Sequence, residues 1–304
     1  MWLFFTLSTT LMWSFAELFY KKGARRDEKY AHLKIAVCVG AVMGLHALYT
    51  LLTKDIGFQA VNMIRYLPVS LCYILSMCLS FFGMRYLEES ISDPIENTSG
   101  AICCALCVIF LKQRLSIPTV IAIVLIVAGV LGIGFLEGNG ETNRSKKLGK
   151  FLAVVAFAMP FCYALLDALG SFLDVYYLED AARSPLAGVT AENVEEVANT
   201  AYELSFAACG LLIYLFLKIK RVPFELPKQG DKLLAASCET AGQFTYVYAM
   251  SGNGAVAAPI LSSVCVFSVL MSRVFLKEKL TKLQYLFVAL VIAGVLTLAV
   301  VEGD

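Results

Sequence analysis

The sequence predicts an all-α integral membrane protein whose ten transmembrane helices form two inverted five-helix repeats. Three observations carry that expectation. Of 304 residues, 59% are hydrophobic and 16% charged, with a mean hydropathy of +0.73, whereas soluble domains are about 45–50% apolar and about 25% charged. The apolar residues gather into stretches close to the roughly 20 residues a helix needs to cross hydrocarbon. The chain also aligns with itself at an offset of about 165 residues. With 25 Lys+Arg against 24 Asp+Glu the formal net charge is +1, so the basic signature of a nucleic-acid binder is missing and no nucleic-acid partner is expected.

The first stretch, Met1 to Tyr20, has neither the basic leader nor the small-residue cleavage site of a signal peptide, so it reads as a retained helix. Leu33 to Leu52 and Tyr66 to Tyr86 follow. The fourth, Pro94 to Leu111, opens in ISDPIENTSG, where Asp93, Pro94 and Glu96 take the N-cap, N1 and N3 positions of a capping box. Ile117 to Leu136 completes the first half, and the polar EGNGETNRSKKLGK from Glu137 reads as a linker. Then come Phe151 to Tyr177, Thr200 to Leu217, Leu233 to Met250, Val256 to Leu276 and Leu283 to Val301, with a long acidic loop from Glu179 to Val197 inside this half. The ten cysteines all lie within apolar stretches and read as small packing residues, not as a disulfide framework or a metal site.

If the loops alternate sides, those after helices 1, 3, 5, 7 and 9 collect roughly 20 of the 25 basic residues, which makes that side cytoplasmic. Both termini and the acidic loop then face outward, in the plasma membrane of a bacterial cell.

The self-alignment sets LKQRLSIPTVIAIVLIVAGVLGIGFLEG, from Leu111, on LKEKLTKLQYLFVALVIAGVLTLAVVEG, from Leu276, and Pro94 on Pro259 without a gap. Residues 1–137 and 151–304 are therefore read as repeats joined by 138–150. Five helices is an odd number, so the second copy enters the membrane from the opposite side. The ten-helix plan, the LKQRL and LKEKL turns each followed by AGV, and VAAPILSSVCVFSVLMSRVFLKEKL resemble EamA-type transporters of the drug/metabolite transporter superfamily, over essentially the whole chain. The resemblance implies transport of a small metabolite by alternating access, through a cavity lined by helices 1, 3, 4, 6, 8 and 9. Two departures are Gln113 opposite Glu278 and the long loop between helices 6 and 7.

Carboxylates at bilayer depth cost about 2.5–3.5 kcal/mol on insertion scales and so mark candidate sites. Glu17 follows Trp13 by four residues, placing indole and acid on one face, and Tyr163 and Asp167 repeat the pattern in helix 6. The segment around Glu17 also resembles the first helix of small multidrug resistance transporters, whose embedded Glu binds protons and cations in competition. A structural alternative for Glu17 is pairing with Lys21 in the basic loop. In helix 8, Glu239, Gln243 and Tyr246 share a face, as a cavity wall or as an interhelical hydrogen-bond network. Glu96 and Asn97 at the start of helix 4 and Tyr73 in helix 3 complete the candidates, with capping as the competing role for Asp93 and core packing for Tyr73. His46 and Glu203 lie in helices that are peripheral in the resembled fold, and Asp174 is expected at the outer water boundary.

These groups are acidic or aromatic, and no Lys or Arg falls at the middle of the cavity helices, so a cationic or zwitterionic amine or amino acid is expected rather than an anion. Proton and cation would compete at Glu17, giving proton-coupled exchange. A lipid-headgroup flippase or a channel of the same fold is the alternative. No HExxH or GxSxG constellation is present, so neither enzymatic activity nor a cofactor is expected.

Overall fold

The computed structural model of the chain describes residues 1–23, 28, 30–83, 95–138, 150–275 and 281–302. Every described element is helical. In chain order they are α1 (Trp2–Gly23), α2 (Ala31–Thr53), the short α3 (Val61–Arg65), α4 (Leu67–Gly83), α5 (Ser99–Phe110), α6 (Ile117–Gly138), α7 (Lys150–Leu178), α8 (Val194–Ile219), α9 (Gly230–Leu261), α10 (Val264–Phe275) and α11 (Lys282–Val301). A helix occupies each of the ten apolar stretches. The eighth and ninth run together in α9, broken at Asn253, whose φ of −162° and ψ of 68° lie outside the helical region.

Fewer than the ten expected stretches meet the length and apolarity of a spanning helix among the described residues. Among the described residues, four helical segments are long and apolar enough to cross a membrane: Ala31–Thr53, Ala158–Leu178, Val194–Ile219 and Lys282–Val301. Leu67–Ser80, Ser99–Phe110 and Ile117–Ile133 are further apolar segments, the first and last being parts of the longer α4 and α6. The difference has physical causes. Hydroxyls and Glu17 dilute α1, Asp231, Lys232 and Glu239 dilute α9, and the ninth stretch divides between α9 and α10. The fold is a multi-pass helical one, with Asp93, Pro94, the linker 139–149 and the turn 276–280 outside the described residues.

Packing is organised by pairs. α1 lies along α9, α4 along α7, α2 along α8 and α6 along α11, while α5 sits between α9 and α7. The α2–α8 crossing is close because Gly40 faces Gly210: a Cβ on Gly40 would come 2.9 Å from the Gly210 Cα. At the α6–α11 crossing Gly129 meets Val291 and the Phe287 backbone, and Gly294 meets Ile126 and the Ala122 backbone. These two glycines belong to the two AGV motifs, so the repeated motif is a pair of small-residue contacts at one interface.

Apolar and polar surfaces are distributed as a bilayer demands. Leu45, Leu52, Leu211, Leu212, Ile121, Val124 and Leu296 are exposed, while Thr6, Thr9, Thr10 and Ser14 on α1 are fully buried. The buried hydroxyls satisfy themselves locally: Thr10 donates to the Thr6 carbonyl at 2.8 Å and Ser14 to the Thr10 carbonyl at 2.6 Å. They also stitch α1 to its neighbours, with Thr9 2.7 Å from the Thr245 hydroxyl and Ser14 donating to the Val264 carbonyl.

Beyond the α1 C-terminus, Glu28 accepts from Lys34 of α2 and Lys232 of α9, each at 2.7 Å. Burial alone would raise its pKa, but the hydrogen bonds and charges of the two lysines outweigh it and hold the carboxyl below its usual range. A depressed folded pKa contributes stability that is complete above the unfolded value, about 4.3, and is lost as pH falls through the folded one. Thermal scans of Glu28→Gln should therefore show a lower midpoint than wild type at neutral pH and a gap that narrows below about pH 4.

Candidate functional site

The helix pairs leave a cavity of about 210 Å³ between α1, α4, α5, α7 and α9. Helical spacing explains which side chains reach it. On α1, Trp13, Glu17 and Tyr20 occupy positions i, i+4 and i+7, and on α9 Glu239, Gln243 and Tyr246 do the same. From α7, Tyr163, Asp167 and Ser171 follow one another at successive turns, and α4 presents Tyr73, Met77 and Ser80. Glu96 and Asn97, just before α5, close another wall. All ten candidate residues thus line one cavity: Trp13, Glu17, Tyr73, Glu96, Asn97, Tyr163, Asp167, Glu239, Gln243 and Tyr246.

Four of these are carboxylates, and no Lys, Arg or His is among the described lining residues. Glu239 lies within electrostatic reach of Glu17 and Asp167, and Tyr163 within reach of all four acids. Ser99 hydrogen bonds to Asp167, and Ser80 donates to Glu96 at 2.9 Å. Trp13 stacks on Tyr246 with ring centroids 5.2 Å apart and donates its indole N–H to the Glu239 carbonyl at 3.4 Å. The indole fits because residue 242 is glycine; a Cβ there would overlap the ring.

A tyrosine layer around Asp174 borders the cavity, sharing Tyr73 and Tyr246 with its wall. The hydroxyls of Tyr66 and Tyr73 donate to the two Asp174 oxygens, the second at 3.0 Å, and Tyr73 is 2.6 Å from the Tyr246 hydroxyl. Tyr177 packs edge-on against Tyr66, with centroids 5.5 Å apart. Asp174 is fully buried, so its expected place at a water boundary is corrected: the ring of hydroxyls satisfies it inside the protein. This layer sits at the start of α4 and the end of α7, whereas Glu17, Tyr20, Met77 and Ser80 extend the cavity toward the other ends of α1 and α4.

Sequence reasoning missed Tyr20, Ser80 and Ser171, although each lies on a face already marked: Tyr20 one turn beyond Glu17, Ser171 one turn beyond Asp167 and Ser80 two turns beyond Tyr73. Tyr202, from α8, also lines the cavity. Its neighbour Glu203 points elsewhere, to His46 of α2, whose Nδ1 is 2.7 and 2.8 Å from the two carboxylate oxygens. That pair is peripheral to the cavity and ties α2 to α8.

A model of the EamA-like transporter family matches residues 1–135 and 181–300. No curated protein matches the chain. A solved structure described only as "Crystal structure of protein" superposes with a TM-score of 0.68 at 13% identity, covering 98% of this chain and 96% of its own, a likeness of fold alone.

Proposed function

Because the chain belongs to the EamA-like transporter family, whose members are transporters and not enzymes, we propose that it moves a small organic amine across the membrane by alternating access, in exchange for protons. The observation that carries this reading is the central cavity: four carboxylates and several aromatic rings, with no basic side chain among the described lining residues. Such a wall favours an ammonium through charge-assisted hydrogen bonds and ring faces and repels anions.

The ten-helix, two-repeat plan belongs to the same proposal, with residues 1–137 and 151–304 as repeats and 138–150 between them. Its support is the pairing pattern: exchanging the halves carries the α1–α9 contact onto α7–α4 and leaves α2–α8 and α6–α11 in place. Alternating access finds support in a cavity lined by helices of both halves, α1, α4 and α5 from one and α7 and α9 from the other. In this reading the basic loops are cytoplasmic, and the ten candidate side chains hold the substrate or its competing proton.

The test is uptake of radiolabelled amines by liposomes containing the purified protein, with and without a pH gradient. Saturable uptake driven by the proton gradient is expected, and Glu17→Gln should flatten its pH dependence. Uptake with the same pH dependence in that variant overturns proton competition at Glu17. Uptake confined to anions overturns the amine reading.

A further inference from the structure

The loop between α7 and α8, residues 179–193, has no part in the transport site, yet it is tied down along its length. Asn62 of α3, itself fully buried, exchanges two hydrogen bonds with Ala187: its Nδ2 donates to the Ala187 carbonyl at 3.0 Å, and its Oδ1 accepts from the Ala187 N–H at 2.7 Å. Arg65 donates to the Pro185 carbonyl at 2.9 Å, and Asn193 to the Ile56 carbonyl at 3.0 Å. Leu186 is buried in the apolar cluster that holds Ile56 and Tyr66. Loop backbone that leaves water needs such partners, and here they come from one short segment, residues 56–65. From that segment a run of direct contacts leads to the cavity. Tyr66 donates its N–H to the Asn62 carbonyl at 2.8 Å and its hydroxyl to Asp174. Tyr73 donates to the same carboxylate at 3.0 Å and lies 2.6 Å from the Tyr246 hydroxyl. Tyr246 stacks on Trp13, and Tyr73, Tyr246 and Trp13 all line the cavity.

We propose that loop 179–193 is a strap whose docking on α3 is coupled to the arrangement of the cavity wall. Tyr66 and Asp174, the links between the two, are fully buried, and close-packed groups exchange between discrete arrangements rather than deforming by degrees. When Tyr73 and Tyr246 leave the Asp174 layer, α3 loses its anchor and the strap undocks. The coupling is reciprocal, so releasing the strap also frees those two rings. Its place in turnover rests on the alternating access read above: undocking accompanies opening of the cavity toward the loop's side of the membrane.

Each end is perturbed and read at the other, in the purified full chain and without any ligand. Tyr73→Phe removes only the hydroxyl that meets Asp174 and Tyr246. Amide hydrogen exchange, which reports local opening, should then quicken at residues 186–188 by about tenfold, within the range of couplings between sites, and stay unchanged in α6 and α11. In the other direction, Asn62→Leu removes the catch that holds Ala187. The chain has two tryptophans, so in a Trp2→Phe background the emission comes from Trp13 alone, and Asn62→Leu should shift its maximum and raise its quenching by acrylamide. Exchange at 186–188 that Tyr73→Phe leaves unchanged, or that rises equally in α6 and α11, overturns the coupling. Trp13 emission indifferent to Asn62→Leu overturns it too. If Asn62→Leu fails to fold, the exchange measurement on Tyr73→Phe decides alone. Neither measurement uses an amine or a gradient, so a failure here leaves the transport reading to its own uptake assay.

Discussion

Glu239→Gln should weaken amine binding by about 10- to 100-fold, the range expected when a hydrogen bond to a charged group, about 1.5–3 kcal/mol, loses its charge. The substitution preserves volume and leaves in place the Glu239 carbonyl that accepts from Trp13, so the aromatic wall keeps its geometry. Asp167→Asn should produce a loss of similar size. Combining the two should cost less than the sum, because both acids act on a single ammonium and share its energy. Calorimetric titration of the three variants measures this directly, and circular dichroism with thermal melting controls for misfolding. Fully additive losses would assign the acids to separate ligands or separate steps.

The largest expected loss of stability is at the α2–α8 crossing. A Cβ on Gly40 would lie 2.5 Å from the Phe206 carbonyl oxygen and 2.9 Å from the Gly210 Cα. Both are backbone atoms, so no rotamer change relieves the overlap, and the helices must separate. Gly40→Leu is expected to destabilise the protein by about 3 kcal/mol, the upper part of the overpacking range, and to lower the melting midpoint in detergent by roughly 5–10 °C. Leu211→Ala, on the exposed face of α8, changes side-chain size by nearly as much and should change the midpoint far less. The same contrast should appear at Gly129, where the Phe287 backbone is the obstacle.

Much of the cavity was legible in the sequence because helical arithmetic is local. An acid four residues from an aromatic on α1, the same on α7, and Glu239, Gln243 and Tyr246 on α9 define faces whatever the tertiary fold. Three such faces with polar groups have only one dry way to be satisfied together, which is toward each other. What escaped is set by long-range pairing. Tyr66 and Asp174 are 108 residues apart, and His46 and Glu203 are 157 apart, so nothing in either local segment announces the partner. Asp174 read as a boundary residue because its distance from the end of α7 was visible and its ring of tyrosines was not. Helix length was equally hidden. Composition marks where the apolar stretches lie, but the breaks at Asn253 and between α9 and α10 arise from local backbone geometry and packing.

Tyr202 and Glu203 are consecutive on α8, and successive helical residues diverge by about 100°. One looks into the cavity and the other holds the His46 imidazole. Any rolling of α8 that reshapes the cavity wall must also stretch or release the carboxylate–imidazole contact. The chain contains only two histidines, so isotopic labelling of that residue type alone yields a two-signal magnetic resonance spectrum. One of those signals is a native gauge of α8 rotation during turnover, read without placing a foreign probe in the transport path.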